Sequence, residues 1–159
     1  STWSKHPMIS LVGSDREVYW NVARRVAIFS FNILSPHVVS GATKDSIKVV
    51  FAENMKKSAL GNISPTAPTV PLHHNFVAAI HDDVYGIQGR GGCSCAGPYG
   101  YDLLGLSPGK IDDALKQLVG QGYEVFKPGW CRINFNYFIG KMEADFVLEA
   151  INQIGTHGW

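Results

Sequence analysis

The chain has few cysteines, few charged residues and no long apolar run. Of its 159 residues, three are cysteine and 17% are charged, with 14 basic against 13 acidic side chains. The net charge of +1 argues against a nucleic-acid-binding surface, which needs clustered lysine and arginine to neutralise phosphates. No stretch approaches the ~20 apolar residues that a membrane-spanning helix requires. The sequence therefore predicts neither a nucleic-acid partner nor a membrane partner.

The cysteine content also bears on redox compartment and metal binding. Three cysteines are an odd number and no secretory leader is visible, so we expect free thiols, a reducing compartment and a cytoplasmic location. Zinc is the weaker alternative, because Cys93-x-Cys95 is not the usual two-residue spacing and no second pair follows. We interpret the adjacent His73 and His74 as a helix cap and a surface residue, and predict no metal.

The apolar pattern that is present indicates a single α+β domain. A length of 159 residues suffices for one domain with a sizeable core. Short segments rich in β-branched and aromatic residues predict strands, and amphipathic stretches predict helices packed on them. We expect a two-layer domain over residues 1–159 with a mostly antiparallel sheet of three to five strands. A long loop or insertion is expected at about residues 36–71, where periodicity is weak.

The same pattern predicts which side chains form the core. The predicted strands bury Val26, Ile28, Phe31 and Ile33 in one case, and Ile133, Phe135 and Tyr137 in the other. The helix ended by Gly86 carries a stripe of Phe76, Ile80 and Val84, widened by Val77. A second helix starts at Ser107-Pro108. The last helix carries Phe146, Val147, Ala150, Ile151 and Ile154.

The loop "GIQGRGGCSCAGPYG", residues 86–100, is the most distinctive stretch. It holds two cysteines, one arginine and six glycines. Successive glycines let backbone N–H groups converge on an anion, and Arg90 adds a planar, two-pronged donor suited to a carboxylate or phosphate. A thiol in such an electropositive setting becomes a better nucleophile. The alternative is a tight strand-to-helix turn in which the cysteines are small core residues.

A second arginine favours the functional interpretation. Arg132 lies on the polar face of an otherwise apolar predicted strand, beside Asn134 and Asn136. Two arginines on neighbouring segments, each close to a cysteine, would form a clamp for a carboxylate. The run His81-Asp82-Asp83 contains acid–base residue types, but its place on the polar face of a helix predicts a solvated cluster.

Three segments resemble one enzyme family. "VAIFSFNI", "HNFVAAIHDDVYGIQGRGGCSCAGPYG" and "GWCRINFNYFI" are similar to the C-terminal small domain of class V aminotransferases and cysteine desulfurases, pyridoxal-phosphate (PLP) enzymes of fold type I. The resemblance spans roughly two thirds of the chain. It implies that Arg132 binds the substrate α-carboxylate, that Arg90 supports it and positions the loop, and that Cys95 attacks the substrate sulfur and carries it as a persulfide. Cys93 has no catalytic counterpart.

The resemblance also implies a missing part. In this family the PLP-binding lysine and the aspartate at the pyridine nitrogen belong to a preceding large domain, and no lysine here stands in the Ser-x-His-Lys setting. We therefore expect no PLP bound to this chain and no activity of the chain alone. The expected partners are that large domain and a small amino-acid substrate, with cysteine as first choice.

Two alternatives stay open. One is a free-standing, non-catalytic α+β module that binds small anions or associates with another chain, including a second copy as a homodimer. The other, weaker alternative is a thiol redox protein that uses Cys93 and Cys95, whose one-residue spacing is not that of the usual redox pair.

Overall fold

In the described part of the chain three strands come before the first long helix, and helices and strands then follow each other. The computed structural model describes residues 3, 6–13, 26–35, 70–93, 95, 97–104 and 116–159. The strands are β1 (Ile9–Leu11), β2 (Ile28–Ser35), β3 (Val70–Pro71), β4 (Arg90–Gly92) and β5 (Trp130–Asn134). The helices are α1 (His74–Tyr85), α2 (Gly97–Leu103) and α3 (Lys141–His157). Residues 116–120 are also helical. The predicted insertion, apart from β3 at its end, and the start of the helix predicted at Ser107 lie outside the described residues.

The described strands form an antiparallel sheet around β2. The strand order is β1-β2-β5-β4, and β3 pairs with the end of β2. β2 is rich in aromatic and β-branched residues, which favour a strand paired on both sides. At its centre Phe31 lies opposite Leu11 on β1 and Cys131 on β5. With α1 and α3 packed on the sheet, this architecture confirms the predicted two-layer α+β class.

The hydrophobic core lies between one face of the sheet and the helices α1 and α3. Phe31 and Ile33 of β2 are completely buried there, together with Ile151 and Ile154 of α3. The Trp3 ring closes one side of the core. The buried residues of α3 match the predicted stripe at Ala150, Ile151 and Ile154, whereas the Phe146 side chain is exposed.

The predicted core face of α1 is wrong. Phe76 and Val84 are 51% and 66% exposed, while His74, Val77 and His81 form the buried face. Contacts with the sheet determine which side of α1 faces inward. At one of these contacts the Cys131 thiol of β5 donates a hydrogen bond to the His74 carbonyl at 3.1 Å. Gly91 on β4 leaves room for that approach, since a Cβ there would stand 3.1 Å from the His74 ring. The predicted helix end at Gly86 is confirmed by its left-handed φ of 64°.

Two strands also differ in extent from the predictions. Ile28 begins β2 and is exposed together with Val26, so the buried part of this strand is shorter than expected. β5 ends at Asn134, and Tyr137, predicted on its buried face, is fully exposed. The Asn134 amide donates to the Asn136 side chain in the turn that follows, so the alternation beyond Asn134 does not belong to a strand.

Candidate functional site

Arg90 and Arg132 lie directly opposite each other on neighbouring strands. They are register partners in the antiparallel pair β4–β5, and Ser30 of β2 is the next partner across the sheet. Directly opposite residues have Cα atoms roughly 4.5–5.5 Å apart and side chains on the same face. Because side chains alternate along β5, this face is opposite to that of Cys131, which packs against α1. The structure therefore brings the two predicted arginines together, away from α1 and α3.

The electrostatics of this pair favour an anion. Like charges directly opposite in a sheet destabilise it unless a counter-charge lies between them. Among the described residues, neither guanidinium has a hydrogen-bonded or ion-paired partner, with Arg90 exposed and Arg132 partly buried. Two planar forks side by side match the two oxygens of a carboxylate. We call Arg90 and Arg132 the arginine pair.

A further unused donor lies near the arginine pair. Trp130 is two residues before Arg132 on β5 and therefore on the same face. Its side chain is buried, and its indole N–H has no hydrogen-bond partner in the described ranges of the chain. A buried donor without a partner costs free energy, so an acceptor brought to this face would stabilise it.

The glycine-rich loop turns sharply after β4. Gly92 has a φ of +120° and Cys95 a φ of +59°, a conformation that residues other than glycine rarely adopt. Backbone strain of this kind concentrates at functional sites. Cys95 is exposed, and its Cα lies at most about 11 Å from that of Gly92, since three residues span no more than ~3.6 Å each. The loop thus presents the Cys95 thiol near the β4 end of the sheet.

The three cysteines occupy different environments. All three thiols are free, with Cys95 exposed, Cys93 partly buried and Cys131 buried. Burial raises the pKa of the Cys131 thiol to about 12, which makes it a structural side chain rather than a nucleophile. Cys93 lines a pocket of about 330 Å³ that the sequence did not reveal. The helix α2, which follows the cysteines directly, was not predicted either.

The histidines are placed only partly as predicted. The His73 side chain caps α1 by accepting from the backbone N–H of Asn75, as expected. His74 is buried instead of being a surface residue, and burial, together with the nearby His73 and Lys127, lowers its pKa to about 4. Within the described residues, no group of three side chains of metal-binding type comes together.

The expected solvated cluster on α1 is likewise only partly correct. Asp82 and Asp83 are exposed, but His81 is completely buried under the sheet. Its ring lies 5.7 Å from that of Phe31. The glycine at position 89 is a sequence signal for this burial. It leaves room for the His81 ring, because a Cβ added there would lie 3.0 Å from the His81 Nδ1 atom.

Comparison of the chain with protein-family models, with curated proteins and with solved structures finds no match. The family resemblance of the loop and strand segments therefore stays a prediction. None of the helices in the described ranges is both long and apolar enough to cross a membrane. What the fold and site define is a two-layer α+β domain with an arginine pair and an exposed thiol at one end of its sheet.

Proposed function

We propose that this chain is the carboxylate-binding small domain of a PLP-dependent enzyme of the class V aminotransferase and cysteine desulfurase type. The observation that supports this is the cross-strand register of Arg90 with Arg132, together with the absence, within the described part of the chain, of a partner for either guanidinium group. Their spacing suits the carboxylate of a small amino acid. A cytoplasmic location is part of the same proposal and agrees with three free thiols.

In this proposal each residue has a defined role. Arg132 binds the substrate carboxylate, because its stem is partly buried and its position on β5 is held by strands on both sides. Arg90, on the edge strand, supplies the second fork and anchors the loop. Cys95 offers the exposed thiol. As a thiolate it would form an S–S bond with the sulfur of a cysteine substrate while the substrate C–S bond breaks, and the electron pair of that bond would stay on the alanine fragment, which PLP held by another domain would stabilise.

The described residues do not by themselves fit PLP. The cofactor requires a lysine held by the protein for imine formation. The described lysines, Lys116, Lys127 and Lys141, are all exposed, and the last two pair with the carboxylates of Glu124 and Asp145. In this proposal the lysine comes from another domain, as the family resemblance implies, so we derive no step of the reaction through the cofactor.

The arginine pair can be tested on the chain itself. Titration with L-alanine followed by NMR should shift signals at β4 and β5, and Arg132→Gln should weaken binding at least tenfold. The reason is that a charge-assisted hydrogen bond contributes about 1.5–3 kcal/mol. Lys141→Gln is the matched control, since it removes one exposed cation from α3. Added PLP should give no internal-aldimine absorbance.

Two results would contradict the proposal. Equal binding of L-alanine by the wild type and by Arg132→Gln would show that Arg132 is not part of the binding site. Equal weakening by Arg132→Gln and Lys141→Gln would reduce the effect to net charge. If a PLP-binding domain of the same enzyme is supplied, sulfur release that survives Cys95→Ala would remove the thiol role.

A second candidate function, self-association, is supported by α1. Phe76, Ile80 and Val84 form an apolar stripe at helical spacing, and its two ends are largely exposed. α1 has no acidic residue in its first turn and no basic residue in its last, where Asp82 and Asp83 lie. In an antiparallel pair of α1 helices, Asp83 of one copy lies beside the positive N-terminal end of the other. The exposed apolar stripe and the charges at the two helix ends are therefore complementary to those of a second copy of this chain.

Sedimentation equilibrium tests this association. We expect a dimer that Val84→Asp weakens at least tenfold, because a carboxylate replaces an apolar contact at the interface. Met142→Asp is the control, as Met142 is an exposed apolar residue on α3 outside the stripe. A monomer at the highest attainable concentration, or equal effects of the two variants, would contradict this function.

A further inference from the structure

A pocket of about 330 Å³ opens between the glycine-rich loop, α2 and the helical residues 116–120. Cys93 and Tyr101 line one side, and Val119 and Pro128 line another. The volume lies at the lower end of the range for small-molecule sites, ~300–1,000 Å³. At ~30 Å³ for each water-sized group, it holds on the order of ten heavy atoms.

The chemistry of the lining is apolar with a cationic edge. Leu104, Val119 and Pro128 provide aliphatic walls, and Tyr101 adds an aromatic ring. Among the lining residues that the structure describes, the only charged side chains are the exposed Lys116 and Lys127. Such a pocket takes the apolar body of a ligand inside and an anionic group at its mouth.

The Lys127 ammonium is available for exchange. Its Nζ lies 3.3 Å from a carboxylate oxygen of Glu124, and both side chains are about half exposed. Exposed ion pairs of this kind are weak. A ligand carboxylate can therefore replace Glu124 at Lys127 with little loss.

From this geometry we infer that the pocket binds a small organic anion with an apolar body, such as an aryl carboxylate. The site is separate from the arginine pair, since neither Arg90 nor Arg132 lines it. Ligand binding in this pocket can therefore be tested independently of the proposed function. Cys93, which has no role in that function, becomes a wall of this second site.

Cys95 serves as an internal control for an alkylation experiment on Cys93. Cys93 lines the pocket, whereas the exposed Cys95 does not, and Cys131 is buried. Iodoacetamide, a neutral reagent, alkylates each accessible thiolate with loss of iodide, and mass spectrometry of the digest gives a rate for each cysteine. Phenylacetate is the probe. Acetate has the charge without the apolar body, and benzyl alcohol has the body without the charge.

We expect saturating phenylacetate to slow alkylation of Cys93 at least fivefold and that of Cys95 by less than twofold. Acetate should protect neither thiol. Lys127→Gln should weaken phenylacetate binding three- to tenfold and leave benzyl alcohol unaffected, while Glu124→Gln should strengthen phenylacetate binding. Val119→Trp, which fills the pocket, should abolish protection, and Lys141→Gln should leave it unchanged.

Three outcomes would overturn the inference. One is a Cys93 rate that phenylacetate does not change, and another is equal slowing of Cys93 and Cys95. The third is equal protection by acetate and phenylacetate, which would indicate a general salt effect. If Val119→Trp fails to fold, the opposite effects of Lys127→Gln and Glu124→Gln still decide the question.

Discussion

His81 is a neutral histidine in the middle of an apolar core. The side chain is completely buried, and neither ring nitrogen has a hydrogen-bond partner among the residues that the structure describes. Burial lowers the pKa of His81 to about 4, against an ordinary value of 6.5. Between these two pH values the unfolded chain binds a proton that the folded chain does not. The folded state is therefore most stable above pH 6.5 and loses stability as the pH falls towards 4.

This pH dependence is measurable by urea denaturation. At about 1.4 kcal/mol per pKa unit, His81 alone should account for roughly 3 kcal/mol of lost stability between pH 7 and pH 4. His81→Leu should flatten the profile by that amount and leave stability at pH 7 equal or higher. His74, whose pKa is lowered in the same direction, keeps part of the slope. His157→Gln, at an exposed site, is the control, and an unchanged slope in His81→Leu would contradict the buried position.

At the scale of the element, α1 offers two adjacent residues with opposite surroundings. Val77 is 1% exposed and Phe76 is 51% exposed. Val77→Ala should lower the free energy of unfolding by about 1–3 kcal/mol, because it leaves a cavity under the sheet. Phe76→Ala removes a larger side chain but should cost less than about 1 kcal/mol, since surface changes are usually small.

Urea unfolding at low protein concentration, where self-association does not contribute, compares the two variants. If Phe76→Ala lowered the free energy of unfolding more than Val77→Ala, the stripe of Phe76, Ile80 and Val84 would be the core face, as the sequence predicts. The stripe was a reasonable expectation, because Phe76, Ile80 and Val84 recur every four residues. A period, however, does not tell which of two apolar faces packs inward. Here the contacts of α1 with the sheet distinguish the two faces, among them the packing of Val77 in the core and the hydrogen bond from Cys131 to the His74 carbonyl.

At the scale of the whole molecule, Trp3 joins the two ends of the described chain. Its indole N–H donates to the Leu148 carbonyl of α3 at 3.1 Å. Its ring lies 5.6 Å from that of Phe29 and 5.8 Å from that of Phe31. A contact across 145 positions holds α3 against the sheet. This contact therefore contributes to the closure of the entire core.

Trp3→Ala should reduce stability by about 3–5 kcal/mol, a large part of the 5–15 kcal/mol typical of a domain. Trp159→Ala is the matched control, because that indole is 43% exposed and donates within α3 to Gly155. We expect a loss of no more than about 1 kcal/mol there. Thermal or urea unfolding of both variants measures the difference, and equal losses would exclude a closing role for Trp3.

The candidate site shows which part of the chemistry a sequence can carry. Arg90 and Arg132 were predicted from their residue type and their position on two segments, and the register places them face to face. That Cys93 lines a pocket could not be predicted, because residues 116–120, which form another part of the lining, lie well beyond it along the chain. His81 was misplaced because a histidine followed by two aspartates is typical of a solvated helix face, and only the structure shows its ring packed 5.7 Å from that of Phe31.

By itself, the sequence determined the α+β class, the antiparallel sheet, the helix end at Gly86 and the two arginines. These depend on local preferences and on hydrophobic period, which act between near neighbours. The tertiary structure alone decided which face of α1 is buried, where β5 stops, and which cysteine lines a pocket. Those features depend on contacts between distant residues, such as Gly91 with His74 and Trp3 with Leu148. The free space and hydrogen-bond partners behind such contacts do not exist until the chain has folded.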